Sequence, residues 1–151
     1  MTLNGCFITG TDTEVGKTCV SAGLLHWFGQ AGYRSAGLKP VAAGTTLIDG
    51  VMVNDDVRAL RDASSIPLTD TDVGPCQFTQ PCAPHIAAAH EGRAIDRLAL
   101  KRAAQALAAR ADWLVVEGVG PGAVDGDAAA LDEAAGFGFG LGEAGGGEGV
   151  D

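Results

Sequence analysis

The stretch CFITGTDTEVGKT, residues 6–18, decides the fold of this 151-residue chain. Cys6 to Thr9 is a short apolar run of β-forming residues that stops at Gly10, which is how a buried strand reads. From Lys17 to about Gln30, Val20, Leu24, Leu25, Trp27 and Phe28 predict a helix buried on much of its surface, closed by Ala31-Gly32. Between strand and helix, Gly10 and Gly16 let the backbone turn tightly, so that successive N–H groups can face inward on phosphate oxygens. The helix adds its positive N-terminal end. Lys17 offers a point charge to β- and γ-phosphates, and the Thr18 hydroxyl a ligand to Mg2+. Five residues separate Gly10 from Gly16, one more than the common phosphate-loop pattern, but the strand before and the helix after are what the mechanism requires.

Working outward, Ser35 to Val41 predicts a second strand containing Lys39-Pro40. NDDVRALRDA, residues 54–63, predicts a short helix with its acids where the helix dipole favours them. Residues 64–84, rich in Pro, Thr and Asp, read as a long loop, and 85–90 as a brief helix. Asp96 caps a further helix to Arg110, with Leu98, Leu100, Ala103, Ala104 and Leu107 as its apolar stripe. Asp112 to Glu117 is a third strand, apolar and then abruptly acidic. Strands with continuous apolar runs, separated by helices, predict an α/β fold: a P-loop NTPase-like parallel sheet flanked by helices, incomplete with three strands.

In such a sheet the C-terminal strand ends face the ligand crevice. Lys39, Glu117 and the phosphate loop all lie at such ends. Glu117 is placed as a metal-binding carboxylate of the Walker-B kind, and Asp55 and Asp56 offer further hard-oxygen ligands. Each has a plainer alternative: a solvated lysine, a glutamate that ends a strand, a solvated helix start. His26 reads as packed, Trp27 and Trp113 as core. His85 and His90, five apart, are awkward for two metal ligands on one helical face.

Residues 1–117 hold all ten Lys and Arg and twelve of the nineteen Asp and Glu, so the body is near neutral. Nothing resembles the basic face that binds nucleic acid. No run of about 18 apolar residues calls for a membrane span, and Met1 to Gly5 lacks the pattern of a secretory signal. The expectation is a cytoplasmic protein with its four cysteines reduced. A change of character after residue 120 divides the chain into a nucleotide-binding domain, 1–120, and a tail, 121–151. Twelve of the twenty-three glycines and seven acids fall after Glu117, a composition expected to be disordered. Apart from Pro121, Leu131, Phe137, Phe139 and Leu141, residues 118–151 are Gly, Ala, Val, Asp or Glu, whose codons all begin with G. That bias reads as a frame-shifted end of a GC-rich gene, with a natural flexible tail as the alternative.

GTDTEVGKT (10–18), GYR (32–34) with GLKPVA (37–42), NDD (54–56), PHI (84–86), EGR (91–93) and VEG (116–118) resemble dethiobiotin synthetase in order and spacing. The lengthened phosphate loop is the form that family uses. The resemblance implies a homodimeric ligase of biotin biosynthesis. It joins 7,8-diaminopelargonic acid and CO2 at the expense of ATP with Mg2+, through a carbamate and a carbamic–phosphoric anhydride, to dethiobiotin, ADP and phosphate. It implies that Thr13, Glu14, Val15, Gly16, Lys17, Thr18 and Cys19 bind ATP, with Glu117, Gly118, Val119 and Gly120 lining the nucleotide side. Thr18, Asp56 and Glu117 would hold the metal, while Lys39, with Lys17, would steady carbamate and phosphoryl charge. Ala43 stands where a hydroxyl residue often contacts the substrate, and neighbouring Thr45 would serve instead. Two other readings compete: a partitioning-type P-loop ATPase switch, and a fragment that binds nucleotide without catalysis. The switch group usually carries an extra lysine early in its phosphate loop, where this chain has Thr11 and Asp12.

Overall fold

The architecture follows from side-chain parity along one central strand. A computed structural model describes residues 4–10 and 16–119 of the chain. Strand β7 (Trp113–Glu117) lies between β1 (Asn4–Ile8) and β2 (Ser35–Leu38), parallel to both, in the order β1-β7-β2. Alternate residues of a strand face opposite sides of a sheet. Leu114 and Val116 therefore join Ala36 and Leu38 on one face, packed on Ala104 and Leu107 of α5 (Arg97–Ala108). Val115 and Trp113 face the other way, onto Leu25 and Phe28 of α1 (Lys17–Gln30) and Val57 and Leu60 of α2 (Asp55–Ala63). The result is three layers with a core on each side of the sheet.

Local signals explain the helices. Asn54 caps α2 by accepting from Val57 N, and Asp96 caps α5 by accepting from Leu98 N and Ala99 N. At the end of α1, Tyr33 N reaches Phe28 O and Gly32 N reaches Gly29 O, the paired bonds of a Schellman stop. The outer edge of β2 is sealed by two serines: Ser65 Oγ accepts from Ser35 N, and Ser64 Oγ from Gly37 N. Those bonds satisfy an edge that would otherwise invite another strand.

The second predicted strand is corrected. It ends at Leu38, and Val41–Ala43 forms a separate β3, paired in parallel with β6 (Cys76–Phe78). Pro40 has no N–H to donate and biases Lys39 before it, so the run breaks at that pair. Thr46–Ile48 (β4) and Val51–Val53 (β5) form an unpredicted antiparallel hairpin. Its turn residues Asp49 and Gly50 both have positive φ, as a two-residue primed turn requires. The long loop contains β6 and a one-turn helix α3 (Asp70–Val73) with a Thr69–Asp72 capping box. Helix α4 (Pro84–His90) stands as predicted, one residue earlier.

Four burial expectations fail, at Val20, His26, Trp27 and Leu98. In α1 the inward stripe is Ser21, Leu25 and Phe28, which turns His26 and Trp27 outward; Trp27 is 62% exposed. Leu98 likewise lies exposed, leaving Leu100, Ala104 and Leu107 as the stripe of α5. Trp113 is half-buried and stacks on Phe28 at 4.1 Å between ring centroids. The four cysteines are free thiols, as expected. Among the described residues no helix is long and apolar enough to cross a membrane. Tail residues 121–151 lie outside the described residues, as do Thr13, Glu14, Val15 and Gly120 of the expected nucleotide site.

Because Leu114 is fully buried at the centre of one core, Leu114→Ala is expected to lower stability by about 3 kcal/mol. Urea unfolding followed by circular dichroism measures it, and a loss under about 1 kcal/mol would contradict the packing described.

Candidate active site

The parity that builds the core also builds the site. Glu117 falls on the same side of β7 as Trp113 and Val115, facing α1 and α2. Lys39 follows Ser35 and Gly37, which face that side of β2. Thr18 and Asp56 each occupy the second position of their helix, α1 and α2, so both helices present their N-terminal turns to the strand ends. The four side chains close a ring. Lys39 Nζ lies 2.7 Å from Asp56 Oδ2 and 2.8 Å from Glu117 Oε1. Thr18 Oγ1 lies 2.9 Å from Asp56 Oδ1 and 2.8 Å from Glu117 Oε1.

Burial makes this ring consequential. Lys39 is 5% exposed, so it is not the solvated lysine of the plainer alternative, and Glu117, which does end its strand, is 0% exposed. One ammonium faces two carboxylates, and Glu117 Oε2 is buried without a partner. Burial by itself would raise the Asp56 carboxyl. The hydrogen bond and charge of Lys39, the Thr18 hydroxyl and the charge of Lys17 outweigh it and hold Asp56 below the usual aspartate range.

The donor set fits a small hard cation. Thr18 has one hydroxyl hydrogen, so it can donate along only one of its two short contacts with carboxylate oxygens at a time. The other contact sets two oxygen lone pairs against each other, which the neighbouring Lys39 ammonium offsets in part and a bound cation would offset further. In an octahedral Mg2+ shell with bonds near 2.0–2.1 Å, neighbouring oxygens sit about 2.9 Å apart, the spacing found here. Among the described residues no three His, Cys, Asp or Glu side chains converge to hold a metal. An ion here would rest on Asp56, Glu117 and Thr18 and draw its other oxygens from water and phosphate, as Mg2+ commonly does.

Upstream of this ring, Gly16 begins α1 at φ +90°, a conformation L side chains rarely adopt. Cys19 is exposed in the first turn, and Gly118 N is taken up by Ile8 O. Gly118 and Val119 follow Glu117 out of β7, with Gly118 against Phe7 and Val119 packed on the cluster that contains Val41 and Phe78.

A cleft of ≈ 300 Å3 opens beside Asp56, lined by residues 43–46, 54–56 and Pro81. Asn54 ties its two walls together, donating from Nδ2 to Gly44 O at 2.7 Å while its Oδ1 caps α2. Thr45 lines the cleft, with its Oγ1 buried and without a partner. Asp55 lines it too, whereas Asp56 alone of that pair joins the ring. Sequence reasoning did not find Asn54 as a tether or Pro81 and Thr46 as walls. The hairpin signal Asp49-Gly50 between two apolar triplets would have located the cleft's outer rim.

A strand that runs into a glycine turn and a helix starting Lys-Thr, with a buried lysine and a carboxylate at neighbouring strand ends, defines a P-loop nucleotide-binding α/β protein. A family profile described as an AAA domain matches residues 4–132, and the chain belongs to that family. Over 114 residues the chain is 47% identical to an ATP-dependent dethiobiotin synthetase of Salmonella typhi, covering 76% of this chain and 50% of that protein. Proteins of the same name match over 114 residues in Escherichia coli strain K12, at 47% identity and 51% of its length, and in Serratia marcescens, at 46% and 50%. The chain thus spans about half the length of the curated relatives it matches.

Two outcomes test the ring. Lys39→Met leaves two carboxylates facing each other without their ammonium, and is expected to cost about 3 kcal/mol of stability. A depressed native pKa for Asp56 means its stabilisation is complete above the unfolded value, near pH 4, and is lost as pH falls through the native value. Urea midpoints between pH 6 and pH 2.5 should therefore fall less in Asp56→Asn than in wild type. Equal slopes would remove Asp56 from the ring.

Proposed function

We propose that this chain carries the ATP-dependent chemistry of its relatives: carboxylation of 7,8-diaminopelargonic acid with CO2 and closure to dethiobiotin, with release of ADP and phosphate. The observation that carries this reading is the buried Lys39 ammonium between Asp56 and Glu117, at the rim of a polar cleft and beside the first turn of α1. Residues 13–19 would cradle the phosphates, and Gly118 to Gly120 would border the nucleotide. Mg2+ bound by Thr18, Asp56 and Glu117 would neutralise phosphate charge.

On this reading the cleft takes the diamine. Lys39 holds the carbamate oxygen and, with Lys17, offsets charge on the phosphoryl group as it passes to that oxygen. Asp55, at the cleft wall, presents an acceptor to an N–H of the neutral amine that captures CO2. The unpartnered hydroxyl of Thr45 supplies the contact for which Ala43 has no oxygen; an unmade buried bond costs about 1–3 kcal/mol, so a ligand that completes it gains that much. Alignment rather than strong basicity does the chemistry. A homodimer in the cytoplasm, acting on small molecules, completes the proposal. The alternative reading is nucleotide binding without turnover.

Incorporation of labelled bicarbonate into dethiobiotin, dependent on ATP and Mg2+, tests the activity, and Lys39→Met is expected to reduce it by about a hundredfold or more. Thermal shift separates the two readings. Magnesium-ATP at a hundred times its Kd should stabilise wild type by about 2.7 kcal/mol and leave Lys17→Ala unmoved. A shift without incorporation would favour the non-catalytic reading; an equal shift in both proteins would remove the phosphate loop.

A further inference from the structure

The EGR triplet at 91–93 has no part in the chemistry above, yet it grips the back of the cleft. Helix α4 ends in a Schellman stop, with Arg93 N on Ala88 O at 2.9 Å and Gly92 N on Ala89 O at 3.3 Å. That stop turns Glu91 and Arg93 toward β6. Glu91 Oε1 accepts from Thr79 N at 2.6 Å, and its Oε2 pairs with Arg93 at 3.0 Å. The same guanidinium donates to Gln77 O at 2.8 Å and lies 4.8 Å over the Phe78 ring. Three successive residues, 77 to 79, are therefore held by one carboxylate–guanidinium unit.

Those residues carry the cleft wall on their other side. Phe78 O accepts from Gly44 N, and Thr79 O from Thr45 N, each at 3.0 Å. Gly44 sits at φ +89°, and a Cβ there would meet Pro81 Cβ at 3.1 Å, so the wall is packed with no slack. The path from Glu91 to the cleft is thus two bonds long: carboxylate to the Thr79 amide, then the Thr79 carbonyl to the Thr45 amide.

We propose that Glu91 and Arg93 are positioning residues for the substrate cleft, holding the Gly44–Thr45 wall at its distance from Asp56 without touching the ligand. This rests on the reading of that cleft as the diamine's. Losing a carboxylate–amide bond frees the 77–79 segment, and a wall displaced by a fraction of an ångström loses its alignment with Lys39 and Asp56. The residues assigned to the nucleotide lie on α1 and at the end of β7, outside the bonds that hold residues 77–79, and meet that segment through Val119, which packs against the cluster containing Phe78.

The test is calorimetric titration of the full chain with 7,8-diaminopelargonic acid and, separately, with magnesium-ATP, for wild type, Glu91→Ala, Glu91→Gln and Arg93→Lys. Glu91→Ala is expected to weaken diamine binding by about tenfold to a hundredfold, with magnesium-ATP affinity held within about twofold. Glu91→Gln, which keeps an acceptor for the Thr79 amide, should recover part of the loss. Amide hydrogen exchange gives a ligand-free readout: Glu91→Ala should speed exchange at Thr45 about tenfold relative to Val115. Unchanged diamine affinity, unchanged Thr45 exchange, or a parallel loss of nucleotide affinity each overturns the proposal. Failure of the underlying reading looks different, because wild type itself would then not bind the diamine; that result overturns the ligand assignment, and Thr45 exchange still decides whether the clamp holds the wall.

Discussion

A lysine ammonium buried between two carboxylates is the interaction on which the rest of this structure depends. Removing an ammonium and a carboxylate from water costs several kcal/mol per ion, and only close, well-directed pairing repays it. Here pairing requires four segments to arrive together: the end of β2 with Lys39, the end of β7 with Glu117, and the first turns of α1 and α2 with Thr18 and Asp56. The sheet fixes the first two through parity and register. The helices fix the others because each begins where its cap and its preceding strand place it. Misplacing the end of β2 or β7 would strand a buried charge, so the site is a constraint on the fold as much as a product of it.

The legible and illegible parts of the sequence divide along this line. Strong local signals were readable: the apolar run before Gly10, Gly-Lys-Thr at a helix start, the Asp96 cap, the apolar-to-acidic step at Glu117. The placement of Lys39 and Glu117 at one crevice was readable from their strand-end positions, whereas position left Asp55 and Asp56 open and only the family resemblance singled out Asp56; the burial that gives the ring its force was not readable. Tertiary context hid the rest. Residues 76–78 form a strand only because Val41–Ala43 offers a parallel edge, and three residues carry too weak a period to announce it. His26 and Trp27 look like core because α1 is apolar nearly all round, and only its docking on Val115 chooses Leu25 and Phe28 as the inward pair. Asp49-Gly50 was a usable hairpin signal that the surrounding short strands obscured.

The two halves of the site are held by different means, and that bears on how each can respond. Around the ring, charge and burial leave little freedom. The cleft depends on backbone bonds relayed through Asn54 on one side and residues 77–79 on the other, all at the surface of a two-stranded pair. Bonds of that kind open locally at lower free energy than core elements do. A buried charge centre thus stands beside a wall held by backbone bonds.

That arrangement also couples ligand to fold. A molecule spanning the Lys39 centre and the cleft would touch groups brought together only in the folded chain, so its binding free energy adds directly to folding free energy. The gain falls where the structure most needs it. Glu117 Oε2 and Thr45 Oγ1 are buried without partners, and each such atom subtracts about 1–3 kcal/mol from the free chain's stability. A cation at the first and a hydrogen-bonding ligand at the second would convert both penalties into contacts. In the unliganded protein these two unmet atoms lie one in the ring and one in the cleft, where bound groups would meet them.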